Sequence, residues 1–88
     1  MSDPKTATVR VLYFAGARDV VGLREESLEI DANGCTVADL AAAIYAKYPA
    51  LAPHARSLRI AVNGEYAKDA DRVKPGDEVA MIPPVAGG

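Results

Sequence analysis

One long helix-forming segment lies between β-patterned segments, and this order restricts the possible folds more than any other feature. Residues 36–48 place apolar side chains at helical spacing on one face, and Pro49 ends the segment. Strand-like alternation precedes it at 8–15 and 24–30 and follows it at 58–63. Since one helix of this length covers only one face of a sheet, the pattern predicts an α+β domain of about five strands and one main helix.

Turn signals mark the connections. Asn33-Gly34 lies between the second strand and the helix, and Asn63-Gly64 is the dipeptide most typical of a two-residue hairpin. A short return strand is expected at 65–67. Lys74-Pro75-Gly76-Asp77 has Pro and Gly where a type II turn requires them, and a last strand follows at 78–82.

The order strand, strand, helix, strand, short strand, strand predicts a ubiquitin-like β-grasp fold with a mixed sheet, in which the terminal strands are parallel central neighbours. We expect a flexible N-terminus at 1–7, a β-grasp domain at 8–83 and an extended tail at 84–88. The predicted core consists of the apolar residues that these periodicities direct inwards: Val9, Val11, Leu28, Val37, Leu40, Ile44, Ile60, Val62, Val79 and Met81.

Composition excludes several functions. The 88 residues make one small domain, and a net charge of −2 lacks the basic footprint of nucleic-acid binding. Cys35 and His54, each the only residue of its type, do not suffice for a protein-only zinc site. Cys35 lies where an ordinary helix entry is expected, and His54 has no nucleophile or carboxylate at catalytic spacing. No metal or independent catalytic site is therefore expected. The sequence contains no apolar run of membrane-spanning length and no signal peptide, which predicts a cytoplasmic protein without a membrane partner.

The C-terminal residues form a thin tail that a partner can admit. Two prolines cannot both join a sheet ladder, so the ordered domain should end near Ile82. The five residues after Pro83 reach about 17 Å when extended. The Gly88 carboxylate is ionised at neutral pH and is the predicted reactive group. The residues expected to give it access to an active site are Pro84, Val85, Ala86 and Gly87.

The sheet face opposite the helix should be polar, but the alternation places apolar side chains on it. Leu12 and Phe14 share this face with Arg10, and Ile82 lies on it at the base of the tail. Tyr66 in the return strand is a plausible neighbour. Because an exposed apolar patch marks an interaction surface, we predict that Phe14, Leu12, Tyr66 and Ile82 bind a partner.

Three stretches carry a resemblance to a known family. They are Val11-Leu12-Tyr13-Phe14-Ala15, Pro75-Gly76-Asp77-Glu78-Val79-Ala80 and Pro83-Pro84-Val85-Ala86-Gly87-Gly88. Because of these stretches, the chain resembles the small, sulfur-carrying subunits of molybdopterin synthase. The resemblance extends from Val9 to Gly88. In that family the positions of Phe14 and Ile82 face the large subunit.

The resemblance implies a chemistry for the tail. An adenylyltransferase related to ubiquitin-activating enzymes would use ATP to adenylate Gly88, and a sulfur donor protein would then convert it to a thiocarboxylate. The tail would enter the large subunit of a heterotetramer and donate sulfur to a cyclic pyranopterin phosphate, forming the molybdopterin dithiolene. No bound cofactor is expected. The alternatives are a carrier for thiamine or tRNA thiolation, a ubiquitin-like protein modifier, and a binding module with an inert tail.

Overall fold

A computed structural model describes residues 6–83. The first five residues and the tail at 84–88 lie outside the described part, so what the sequence indicates for them stays a prediction. Its elements, in chain order, are β1 (Thr6–Tyr13), α1 (Ala15–Val21), β2 (Glu25–Asp31), β3 (Cys35–Thr36), α2 (Val37–Lys47), a 3-10 helix (Pro49–His54), β4 (Arg59–Val62), β5 (Glu65–Tyr66), β6 (Arg72–Val73) and β7 (Glu78–Ile82).

The main sheet has five strands in the order β2-β1-β7-β4-β5. Strands β1 and β7 are parallel central neighbours, with Val11 opposite Val79, and the other pairs are antiparallel. This arrangement confirms the predicted α+β fold with terminal strands side by side. The hairpin between β4 and β5 is also confirmed, because Asn63 and Gly64 have the positive φ angles, 52° and 85°, that its tight turn requires.

Helix α2 begins at a side-chain cap and packs on the inner face of this sheet. The Thr36 Oγ1 accepts a hydrogen bond from the Asp39 backbone N–H at 3.1 Å, which caps the start of the helix. The buried helix residues are Val37, Leu40 and Ile44, which join one apolar cluster with the inward side chains of β1 and β7. Leu28, Ile60 and Val62, also predicted in the core, are only partly buried against it.

The predicted core omitted six buried hydrophobic residues. Tyr13, Ile30 and Ala61 lie in strands, whereas Ala17, Leu51 and Val73 lie in short elements with little periodicity. Val73 lies in a second sheet of two-residue strands, β3 and β6, in which it pairs with Cys35. A two-residue strand is too short for alternation to be visible in the sequence.

The first strand differs from its prediction at both ends. It begins at Thr6 because Thr6 and Ala7 pair with Asp31 and Ile30 of β2, so the predicted flexible N-terminus overlaps β1 by two residues. It ends at Tyr13 because Ala15, with φ of 46°, turns the chain into α1. Phe14 therefore caps a helix rather than continuing the strand.

A polar cluster fixes the end of α2 to the sheet. Glu26 of β2 accepts hydrogen bonds from the hydroxyls of Tyr13 and Tyr48, at 2.7 and 2.6 Å, and from the Lys47 ammonium at 2.7 Å. Burial alone would raise the pKa of Glu26, but these three donors outweigh it and lower the pKa below its ordinary value. Burial, followed by the hydrogen bond to Glu26, raises the pKa of Tyr13. The cluster is therefore held in its charged, hydrogen-bonded form at neutral pH.

Candidate docking site at the end of the last strand

An apolar hollow of about 640 Å³ lies where β7 ends at Ile82 and Pro83. Its walls come from the β1–α1 junction, from α1 and from the 3-10 helix with the residues that follow it. The lining side chains and backbone belong to Phe14, Ala15, Gly16, Ala17, Val20, Leu51, His54, Ser57, Leu58, Ile82 and Pro83. Pro83, the last residue before the tail, thus lies at an open apolar surface.

Phe14 is held at the rim of this hollow by its backbone. Its N–H donates to the Met81 carbonyl at 3.2 Å, and its carbonyl accepts from Ala17 at 3.0 Å. The positive φ of Ala15 lies in a region that costs an L-residue about 1–2 kcal/mol. Phe14 is 45% exposed and Val20 is 40% exposed. Two large, exposed apolar side chains therefore lie at the rim of the hollow.

The floor of the hollow is firm. Leu51 is 1% exposed and belongs to the core cluster, so it ties the 3-10 helix to the domain interior. His54 and Ser57 are joined through the Ser57 hydroxyl, which donates to the His54 carbonyl at 3.0 Å. Helix α1 is closed by Gly22, whose φ of 85° and N–H bond to the Arg18 carbonyl terminate it. These contacts hold the 3-10 helix and α1, which line the hollow, in place.

The structure brings together only two of the four predicted docking residues in this hollow, Phe14 and Ile82. Leu12 and Tyr66 lie elsewhere on the outer face, in a row across four strands formed with Ala80 and Ala61. Tyr66 is 74% exposed and borders a separate, polar hollow. The four predicted residues are thus divided between the hollow and an apolar row on the outer face.

Sequence reasoning missed Val20, Leu51, His54 and Leu58 as lining residues. Ala17 and Val20 are three residues apart on α1, a spacing that puts both on one helix face. Leu51 stands between Pro49 and Pro53, where the short 3-10 helix has no visible periodicity. The α1 signal was available in the sequence, whereas the position of Leu51 depends on tertiary packing.

An ion-paired cluster borders the apolar row on the outer face. Arg10 of β1 donates to Glu25 of β2 and lies 3.9 Å from Glu78 of β7. The hydrogen bond from Arg10 lowers the pKa of Glu25, and the same bond raises the pKa of Arg10. These exposed charges limit how far the apolar surface extends along the strands.

The reactive Gly88 and the access residues predicted for it, Pro84 to Gly87, lie outside the described residues. Within 6–83, no group of three or more His, Cys, Asp or Glu side chains is placed to hold a metal ion. Over the same range, no helix has the length and apolarity needed to cross a membrane.

A mixed sheet with parallel terminal strands, one covering helix and an apolar hollow at the exit of the last strand defines a ubiquitin-like β-grasp protein. A ubiquitin from Caldiarchaeum subterraneum shares this fold, with a TM-score of 0.64 and 23% identity over 94% of this chain and 99% of that one. The chain belongs to the ThiS family, whose model matches residues 11–88.

Curated relatives are similar over nearly their whole length. The molybdopterin synthase sulfur carrier subunit of Chlamydomonas reinhardtii is 43% identical, with 91% of this chain and 98% of the relative covered. The subunit of Mycobacterium tuberculosis is 40% identical, with 91% of this chain and 96% of the relative covered. The subunit of Homo sapiens is 35% identical, with 91% of this chain and 93% of the relative covered.

Solved structures of similar chains include two with informative partners or names. SAMP1 of Haloferax volcanii has a TM-score of 0.79 and 29% identity over 93% of this chain and 100% of that one. A chain in the complex of subunits 1 and 2 of the molybdopterin-converting factor from Helicobacter pylori has a TM-score of 0.60 and 27% identity. The match covers 92% of this chain and 99% of that one.

Proposed function

We propose that this protein is the sulfur carrier subunit of a molybdopterin synthase. The observation that carries the proposal is the similarity, over nearly the whole chain, to sulfur carrier subunits of that name, together with a family match that extends to Gly88. The similar chain from Helicobacter pylori was solved in a complex with a second subunit, which supports a large-subunit partner. The protein would act in the cytoplasm as one subunit of a sulfurtransferase, without a catalytic site of its own.

The exit of the chain from the sheet supports a carrier role. β7 is hydrogen-bonded on both sides, to β1 and to β4, so Ile82 is fixed in a rigid frame. The apolar hollow beside Ile82 and Pro83 offers the large subunit a docking surface next to the tail. Docking there would direct the residues that follow Pro83 into the partner's active site while the domain remains outside.

The proposed chemistry resides at Gly88. A carboxylate is a poor acyl donor, so an adenylyltransferase related to ubiquitin-activating enzymes would first join it to AMP from ATP and release pyrophosphate. A sulfur donor protein would then supply sulfur at the sulfide level, which would displace AMP and give a thiocarboxylate. This soft sulfur nucleophile, tethered to the docked domain, has a high effective concentration at the cyclic pyranopterin phosphate. Each dithiolene needs two sulfur atoms and therefore two turnovers.

The test of the tail is a reconstitution with the large subunit, the pyranopterin substrate and the chemically prepared thiocarboxylate. We expect dithiolene formation by the intact chain and none by a chain that lacks Gly88. In the producing cells, the intact mass should show replacement of one oxygen by sulfur at Gly88. A chain without Gly88 that forms dithiolene at the rate of the intact chain would refute the proposal.

The test of the docking site compares three aspartate variants. Phe14→Asp should weaken the complex with the large subunit, because a charge would be desolvated in an apolar hollow. Ala43→Asp, on the exposed side of α2, is the matched control and should bind normally. Tyr66→Asp measures whether the interface extends along the outer face. Undiminished affinity of Phe14→Asp in titration calorimetry would exclude the hollow as the interface.

A second candidate is a ubiquitin-like modifier joined to lysines of target proteins. The likeness to SAMP1, a small archaeal modifier protein, favours it. The two functions are distinguished in cells, since a modifier accumulates in isopeptide-linked conjugates of higher mass and a dedicated carrier remains free. Delivery of the sulfur to thiamine or tRNA would show instead as loss of those products in a deletion strain.

A further inference from the structure

The charged side chains of this domain are segregated between its two ends. Four exposed arginines lie around the end from which the chain leaves β7, whereas carboxylates predominate at the opposite end. The net charge of −2 conceals this separation.

The backbone contacts locate the four arginines. Arg59 is opposite Ile82 in the β4–β7 pair, and the Arg24 carbonyl accepts from Tyr13 N–H at 2.8 Å, one residue before Phe14. The Arg18 N–H donates to the Phe14 carbonyl at 3.4 Å. Arg56 lies between His54 and Ser57, which both line the hollow. All four therefore have backbone positions near the apolar hollow, although none is among its lining residues, and Arg56 and Arg59 line a second hollow beside α2.

These cations have few counter-charges nearby. Within residues 6–83, none of the four arginines forms an ion pair, while the ion pairs that occur engage Arg10 and Lys47. The carboxylates of Glu25 and Glu26 are held by Arg10 and Lys47 respectively. Asp19 lies on α1 beside Arg18, and Asp69 lines the hollow beside α2 that Arg56 and Arg59 also line.

At the opposite end of the domain, carboxylates outnumber cations. This end consists of the turn after β2, the start of α2, the β4–β5 hairpin and the loops on either side of β6. The hydrogen bonds from Gly76 to Thr8 and from Val37 to Asp71 join these segments. Three cations, Lys68, Arg72 and Lys74, face six carboxylates there: Asp31, Asp39, Glu65, Asp69, Asp71 and Asp77.

We infer that the partner surface that receives the tail-bearing end has acidic side chains around its apolar contact, and that this charge complementarity orients the carrier during encounter. The inference rests on the proposed function and adds the charge of the partner. A domain with a positive end and a negative end meets an acidic surface preferentially with its positive end forward. The arginines would thus orient the carrier so that the hollow and the tail reach the partner first.

The test is stopped-flow association with the large subunit, using two charge reversals of equal size. Arg56→Glu with Arg59→Glu changes the hollow end, and Lys68→Glu with Lys74→Glu is the matched control at the other end; all four side chains are exposed. We expect the arginine pair to lower the association rate constant by about tenfold or more at low salt, with little change in dissociation. The lysine pair should associate at the parent rate or faster.

Ionic strength provides a second readout. The parent association rate should fall between about 0.01 M and 1 M salt, over which the Debye length shrinks from about 30 Å to 3 Å, and the arginine pair should lose this dependence. Arg56→Lys with Arg59→Lys keeps the charge and should restore the rate. Equal rates for the two reversed pairs, or a faster arginine pair, would overturn the inference.

Two further outcomes separate the possible failures. If the parent chain does not bind the large subunit, the proposed function fails. If it binds and transfers sulfur while both reversals leave the rate unchanged, only the inference fails. Salt-sensitive binding of a single-stranded DNA oligonucleotide, abolished by the arginine reversal alone, would assign the cations to nucleic acid and overturn the inference as well.

Discussion

Replacing Gly34 by alanine should destabilise the domain by two separable effects. Gly34 has φ of 87°, and an added Cβ would lie 2.5 Å from the Val73 carbonyl oxygen. The left-handed backbone costs an L-residue about 1–2 kcal/mol. The contact is closer than real Cβ atoms approach, and Val73 is fully buried, so the β3–β6 pair must shift. Such overpacking typically costs a further 1–3 kcal/mol or so, which gives a total of roughly 2–5 kcal/mol.

Gly76→Ala isolates the steric part. Gly76 has nearly the same φ, 84°, but a Cβ there would meet nothing within 4 Å, so only the backbone cost of about 1–2 kcal/mol applies. Urea unfolding followed by circular dichroism gives both free energies, and unchanged m-values would confirm that the transitions are comparable. Each kcal/mol should also lower the melting temperature by about 4–8 °C. Equal losses in the two variants would refute the close approach of Gly34 to Val73.

Other expected outcomes concern the polar cluster, the core and the tail. Glu26→Gln should be less stable than the parent at pH 7. The difference in unfolding free energy should narrow as the pH falls below 4.5, the ordinary pKa of this group, because the folded state lowers the pKa and so stabilises only the ionised carboxylate. Urea midpoints at pH 7 and pH 3 test this. Ile44→Ala should lower the free energy of unfolding by about 2–5 kcal/mol, and Ile60→Ala by less because Ile60 is only partly buried; equal losses would contradict the packing. Gly87→Val should nearly abolish sulfur transfer with little loss of docking, because a β-branched side chain thickens and stiffens the tail beside Gly88. A normal rate of sulfur transfer would contradict the idea that the tail enters a narrow channel.

The elements that could be predicted from the sequence are those with strong local signals. The alternation in β1 and the helical spacing in α2 are directly visible, and Asn63-Gly64 specifies its hairpin through positive φ angles. The parallel β1–β7 pair followed from the order of elements. In each case the local preference of the chain agrees with its place in the fold.

What could not be predicted depends on contacts between distant segments. Strands β3 and β6 exist because Cys35 and Val73 meet across the fold, and two residues carry no period. Leu51 is buried because the 3-10 helix packs under α1 and α2, which its own residues do not signal. Phe14 was placed correctly by parity as exposed, but the turn at Ala15 moves it from the strand face to the rim of the hollow.

The position of β7 also determines how the domain responds to pulling on its tail. Strand β7 lies between parallel β1 and antiparallel β4, so traction from Pro83 along the strand loads both ladders in shear. The hydrogen bonds of a sheared ladder share the force, whereas those of a peeled edge strand break one after another. Forced unfolding is governed by the rate of unfolding rather than by equilibrium stability. A partner that grips or releases the tail can therefore exert force on it without stripping the last strand from the sheet.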